Sequence, residues 1–161
     1  MDMMSDHTAR TAKGHEEPLA VQFSVFLANR VGSLKDLLDL FAGQDINVLG
    51  LSVVDSADWA VIRIVVSDPN KARDALSRAA VPFTESEVLL AELDGPTALS
   101  EIFRLLLQME INTHFAYPLT IRRDQNPVMV LHVDDHVLAR GMLLRHGITL
   151  LGDEDLAGPT S

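Results

Sequence analysis

A chain of 161 residues with 47% apolar content can bury a core as one domain or as two small ones. Its 23 acidic and 13 basic residues leave a net charge of −10, which repels phosphate backbones and argues against nucleic acid as a partner. Cysteine is absent, which removes disulfides, thiolate nucleophiles and cysteine zinc sites, and no apolar run approaches the ~20 residues that span a bilayer.

Residues 1–18 are mostly polar or charged and lack the hydrophobic centre of a signal peptide, so a disordered leader and a cytoplasmic compartment are expected. From 19 to 27, Val21, Phe23, Val25 and Leu27 alternate with Gln22 and Ser24, the period of a half-buried strand. The loop 28–32 then feeds a helix in which Leu34, Leu37, Leu38 and Phe41 form one apolar stripe. Ser33 is placed to cap that helix and Gly43 to end it. Residues 46–55 and 59–67 read as a hairpin around Asp55-Ser56-Ala57-Asp58. Ile62, Ile64 and Val66 are expected to face the helices. Trp59, Val61 and Val65 then lie on the open face, or Trp59 folds over its own hairpin end. Asp68-Pro69 starts a second helix, a capping carboxylate followed by a proline where no amide is needed. Ala72, Ala75, Leu76 and Ala79 are its inward stripe, and after Pro82 an edge strand closes around Phe83.

The plan then repeats. Asn29-Arg30-Val31-Gly32-Ser33-Leu34 with Leu37, Leu38 and Phe41 returns, 65 residues on, as Asp94-Gly95-Pro96-Thr97-Ala98-Leu99 with Ile102, Phe103 and Leu106. Ile46-Asn47 returns as Ile111-Asn112. Strands are expected at 88–93, 111–118 and 127–133, with Arg122-Arg123 at a solvated hairpin tip. Asp134 is expected to match Asp68, and Leu138 and Met142 to match Ala72 and Leu76, at an offset of 66. Ile148 to Leu151 closes the second unit. Two βαββαβ units imply an α+β fold with ferredoxin-like antiparallel sheets and helices on one face. The expected boundaries are a leader at 1–18, domains at 19–84 and 85–152, and a tail at 153–161.

With these residues in place, the chain resembles a tandem of the ACT domain family over residues 19 to about 152. The family's strand-to-helix loop is commonly Asn-x-Pro-Gly-x-Leu, matched here by Asn29-Arg30-Val31-Gly32-Ser33-Leu34 with Val31 in place of proline. The resemblance implies a small-molecule sensor, usually of amino acids, that regulates enzymes of amino-acid metabolism such as aspartokinase or acetohydroxyacid synthase. A homodimer and a biosynthetic partner enzyme are expected from the same likeness, and a branched-chain amino acid is the first ligand to consider. The resemblance places ligand between the 29–33 loop and the start of a second strand from a neighbouring domain. That maps onto Asn47-Val48 and Asn112-Thr113, which as turn residues have an equally good structural explanation.

The loop's chemistry stands without the family. A glycine between strand and helix permits close backbone approach, and the first helical amides with the positive end of the helix dipole suit an α-carboxylate. Asn29 offers donors and an acceptor. The alternative is that Gly32 makes the turn and Asn29 caps it. In the second copy Thr97 occupies the glycine position, so that site is expected to be altered or vacant, with Thr97 as a helix cap. No Gly-x-Ser-x-Gly, Walker or dinucleotide motif occurs, and His132-x-x-x-His136 straddles a strand end rather than one helical face. Neither an enzyme, a metal nor a cofactor is expected. The rival to a sensor is a ligand-free subunit that docks through its sheet.

Overall fold

The computed structural model describes residues 18–157, so the expected leader lies outside the described residues up to position 17. The first unit runs β1 (Ala20–Ala28), α1 (Ser33–Gly43), β2 (Val48–Asp55), β3 (Trp59–Val66), α2 (Pro69–Arg78) and β4 (Phe83–Glu92). The second begins on the end of β4 and continues through α3 (Ala98–Gln108), β5 (Thr113–Arg123), β6 (Asn126–Val133), α4 (His136–Arg145) and β7 (Leu150–Leu151). A one-turn helix, α5 (Asp153–Leu156), follows where a tail was expected.

All pairings are antiparallel. β1 lies between β3 (Phe23 opposite Ile64) and the first half of β4 (Phe23 opposite Glu85), and β3 pairs β2 on its other side. The second half of β4 takes β6 and β7 as partners, with Leu89 opposite Leu131 and Leu90 opposite Leu151. β5 completes that sheet beside β6. The expected boundary at 84–85 therefore falls inside one continuous strand shared by both sheets. At the far edges β2 meets β5 through a single pair, Gly50 opposite Leu119, which closes the strands into a ring.

Alternation along the strands sorts the apolar residues into three cores. Phe23, Val25, Ile62, Ile64 and Val66 pack under α1 and α2 with Leu37, Phe41, Ala72 and Leu76. Leu89, Ala91, Leu131 and Val133 pack under α3 and α4 with Ile102, Leu106, Ala139 and Leu143. The opposite faces of both sheets meet in an inner core of Ala20, Leu49, Val65, Val88, Leu90, Tyr117, Leu119, Val128, Val130, Leu151 and Leu156. The helix-facing and open-facing sides expected for β3 hold at Ile62, Ile64, Val66 and Val65. The sheet surface on which the docking rival relies is reduced, because the open faces of both sheets meet in this core, while Val53, Val54 and Trp59 stay exposed. One polar contact crosses this inner core: the Tyr117 hydroxyl donates to Gln22 Oε1 at 2.7 Å. Burial raises the Tyr117 pKa above the phenol range, so the donor stays protonated.

Helix starts differ from expectation in instructive ways. Asp68 caps α2 by accepting from the Lys71 amide at 3.1 Å. Its counterpart on α4 is Asp135, which accepts from the Leu138 amide at 3.0 Å, and not Asp134. Ala139 and Leu143 accordingly occupy the inward positions that Leu138 and Met142 were expected to fill. The offset between units grows from 65 at Val48 and Thr113 to 67 at Val66 and Val133, because the β5–β6 hairpin is two residues longer.

The four longer helices end alike. Asp45, Ala80, Glu110 and Gly147 take left-handed φ values of 59°, 55°, 54° and 79°. The next amide in each case reaches back five residues, as from Ile46 to the Phe41 carbonyl at 2.9 Å and from Ile111 to Leu106 at 2.9 Å. Gly43 is the last residue of α1 and not its left-handed terminator. Three of the four turns therefore carry a side chain where glycine is unstrained. Glu110→Gly should stabilise by about 0.5–1 kcal/mol, the relieved left-handed strain exceeding the added chain entropy. A melting temperature below that of the parent would contradict this.

The C-terminal turn is tied to the start of β1. The Asp153 amide donates to the Leu19 carbonyl at 2.9 Å, and Asp153 Oδ1 accepts from the Val21 amide at 3.3 Å. Burial pushes the Asp153 carboxyl from 3.8 up to about 6, against the Val21 amide and the Arg73 charge, which favour ionisation. The folded state thus binds this proton more readily than the unfolded chain, so stability from Asp153 is present at low pH and lost as pH rises through about 4 to 6. Asp153→Asn keeps the acceptor and removes the titration. The variant should gain on the parent in melting temperature between pH 4 and pH 7; a constant difference would show that Asp153 does not titrate there.

Candidate functional site

The turn that follows β1 is built backbone first. The Arg30 amide donates to the Ala28 carbonyl at 2.9 Å, and the Ser33 amide to the Arg30 carbonyl at 3.3 Å. Gly32 sits at φ 91°, ψ −14°, a left-handed position where an added Cβ would meet nothing within 4 Å. The glycine is thus required by its φ and not by crowding. The first intrahelical bond runs from the Asp36 amide to the Gly32 carbonyl at 2.9 Å. Ser33 is the first helical residue, and no side chain caps α1, so the expected Ser33 cap is replaced by the bare Gly32. The amides of Leu34 and Lys35 are left without acceptors among the described residues.

α3, the equivalent helix, is also uncapped, although Thr97 occupies its N-cap position. Thr97 has φ −101°, so the left-handed turn of Gly32 has no counterpart there. In each unit the second helix is capped by aspartate and the first is open.

Asn29 is a brace. Its Nδ2 donates to Asp55 Oδ1 at 2.7 Å and to the Ser56 carbonyl at 2.9 Å, while its amide donates to Asp58 at 3.0 Å. Both side-chain protons are thus committed to the β2–β3 hairpin. Val31 points wholly into solvent. Beside the loop, a groove of about 430 Å³ opens between the first turns of α1, the last residues of β1 and the α2–β4 corner. Arg30, Ser33 and Asp36 stand in its wall, with Leu37, Leu40 and Val81 among the apolar lining. Trp59, half-exposed, lines it too, from the end of β3. Sequence periodicity had marked Leu37 as core alone; the α2–β4 corner, Asp36 and Leu40 carried no site signal, because their approach to the loop is tertiary.

The other expected contacts are elsewhere. Asn47-Val48 lies where β2 starts, opposite Val66, whereas the 29–33 loop adjoins Trp59 through its pair with Ala28. Those two ends of β3 are about 23 Å apart, so one ligand does not touch both within this unit. The Asn47 amide donates to Ser67 Oγ at 3.0 Å, and the Asn112 amide to Asp134 Oδ1 at 3.2 Å, matching turn anchors. The antiparallel β2–β5 pair directs Thr113 toward the Asp55 end of the ring, yet neither Asn112 nor Thr113 lines the groove. His132 and His136 are likewise apart: His132 stacks on Phe115, and His136 pairs with Glu87 at the head of α4.

Among the described residues, no helix is long and apolar enough to cross a membrane. Protein BT0572 from Bacteroides thetaiotaomicron is similar to this chain at 25% identity and a TM-score of 0.79, covering 88% of this chain and 97% of that one. The ligand-free regulatory subunit of aspartate kinase from Thermus thermophilus shares the fold at 11% identity and a TM-score of 0.55, over 80% of this chain and 91% of that one. The small subunit of acetolactate synthase from Thermotoga maritima also aligns, over 84% of this chain and 94% of that one, at 16% identity but a TM-score of 0.35, too low to bear on ligand or partner. No curated protein sequence matches. The ACT domain pair family matches residues 19–158, and with its duplicated βαββαβ units this chain belongs to that family.

Proposed function

We propose that the chain is a non-catalytic regulatory protein that binds an amino acid at the 29–33 loop and reports it to a partner enzyme of amino-acid metabolism. The observation that carries this reading is the open start of α1. Gly32 turns the chain so that two free amides and the positive helix end stand at the rim of an apolar groove. A ligand α-carboxylate would accept from Leu34 and Lys35, its ammonium would lie toward Asp36, and its side chain would enter between Leu37, Leu40 and Val81. Those aliphatic walls suit a branched-chain amino acid. The fold shared with an aspartate kinase regulatory subunit supports a regulatory role. The unit at 19–84 would sense, and the unit at 85–152, without the glycine turn, would support it. A homodimer in the cytoplasm is the expected working form.

Ligand would act by preferring one conformation of the paired units over another. A melting screen against the twenty amino acids tests the reading. Binding at 100 times the dissociation constant adds about 2.7 kcal/mol, so one chemical group should raise the melting temperature by several degrees. Flat curves with all twenty would overturn it.

A further inference from the structure

The inner face of the strand ring changes character along its length. At one end it is aliphatic; two residues further along each strand, toward the β2–β3 hairpin, it is not. Ala20 and Gln22 are followed inward on β1 by Ser24, Val65 on β3 by Arg63, Leu119 and Tyr117 on β5 by Phe115, and Val128 and Val130 on β6 by His132. These side chains gather on one ring. The Arg63 guanidinium carbon stands 3.9 Å over the Phe115 centroid, and the His132 ring stacks on Phe115 at 4.7 Å and 16°. His114 lies 5.3 Å from His132. Arg63 has no acidic partner among the described residues, unlike Arg73, Arg78, Arg104 and Arg123, all ion-paired. His132 Nδ1 is shielded from solvent and has no hydrogen-bond partner among the described residues.

We infer that this mouth is an oxyanion site, separate from the 29–33 loop, in which Arg63 and His132 with neighbouring His114 receive a carboxylate or phosphate group. A basic cluster without an acid, in a chain of net charge −10, leaves charge uncompensated where charge-assisted hydrogen bonds are strongest. The acids of the surrounding elements have other partners: Glu87 of β4 engages His136 on α4, Asp134 after β6 accepts from the Asn112 amide, and Asp55 of the β2–β3 hairpin accepts from Asn29. Burial, then His114, Arg63 and His136, hold His132 below the usual imidazole range, as crowded cations should. A bound anion reverses that crowding and favours the protonated ring.

Histidine Cε1 proton titration by NMR tests the site. Inorganic phosphate, and acetate in a second arm, are added to the full chain at ionic strength matched with sodium chloride. The expected result is a rise of about one pKa unit at His132, equivalent to tenfold tighter binding of anion by the protonated form. Response to acetate as well as phosphate assigns general oxyanion binding, and response to one alone names its class. Arg63→Gln should raise the His132 pKa in chloride alone and abolish the phosphate effect. Should that variant not fold, His114→Asn should at least halve the phosphate shift. Resonances that move no further with phosphate or acetate than with chloride would overturn the site.

Discussion

Gly32→Val should abolish the amino-acid response while leaving a cooperatively folded protein. The added side chain meets no neighbour, so the cost is conformational: a β-branched residue is held at φ 91°. That strain is worth about 1–3 kcal/mol, a modest share of a domain's stability, and the loop can shed it by moving Gly32 to a negative φ. Thr97 shows the relaxed form, at φ −101° on the equivalent helix. In that geometry the entry to α1 turns away from the groove and the Leu34 and Lys35 amides lose their aim. Affinity measured by calorimetry should fall at least tenfold, about 1.4 kcal/mol, with a single unfolding transition retained. Val31→Ser, at a side chain wholly in solvent, should change neither property. Unaltered affinity in the valine variant would remove this turn from the site.

Much of this molecule could be read from periodicity, and the reasons for the remainder are specific. The repeat, the stripes of α1 and α3 and the facing of Ile62, Ile64 and Val66 follow from apolar spacing, which reports which side of an element avoids water. Spacing does not report what that side meets. Val65 was visible as an open-face residue, but only pairing across β4 and the β2–β5 seam joins it with Val88 in one inner core. The unbroken run Val88-Leu89-Leu90-Ala91 did carry the signal, since an apolar residue at every position implies cover on both faces. Capping failed at Ser33 and Thr97 because a suitable side chain near a helix start is common whether or not its backbone places it at the N-cap with an amide in reach. At the site, the glycine turn was evident from one dimension. The groove was not, because Trp59, Ala80 and Pro82 reach Asp36 only through the closing of the first sheet. Asn29 was read as a ligand contact or a turn cap; its side-chain bonds to Asp55 and Ser56 make it a brace of the hairpin, which spacing alone does not signal.

Gly50→Val should loosen the seam between the two units. The seam consists of one bridge, Gly50 opposite Leu119, and one side-chain bond, Thr120 Oγ1 donating to the Leu49 carbonyl at 2.9 Å. A Cβ at position 50 would stand 2.5 Å from Leu119 Cδ2, 3.5 Å from Tyr117 Cε2 and 3.6 Å from the Leu119 Cα. The nearest atom is the tip of a flexible side chain, so alanine can be admitted if Leu119 swings aside. Valine adds two methyl groups against a Leu119 that is buried in the inner core, with the β5 backbone close behind it. Overpacking of this kind costs about 1–3 kcal/mol, and valine here belongs at the upper end. Beyond the shared core packing of Leu49, Tyr117 and Leu119, this edge has few hydrogen bonds, so β2 and β5 should part and expose the inner core, giving dye binding before the main unfolding transition. Leu119→Ala alone removes core volume and should cost about 2–5 kcal/mol. Combined with Gly50→Val it opens the space that valine needs, so the two losses should sum to more than the double variant shows. An additive double variant, or a valine variant as stable as the parent, would mean that the two units do not depend on this close approach.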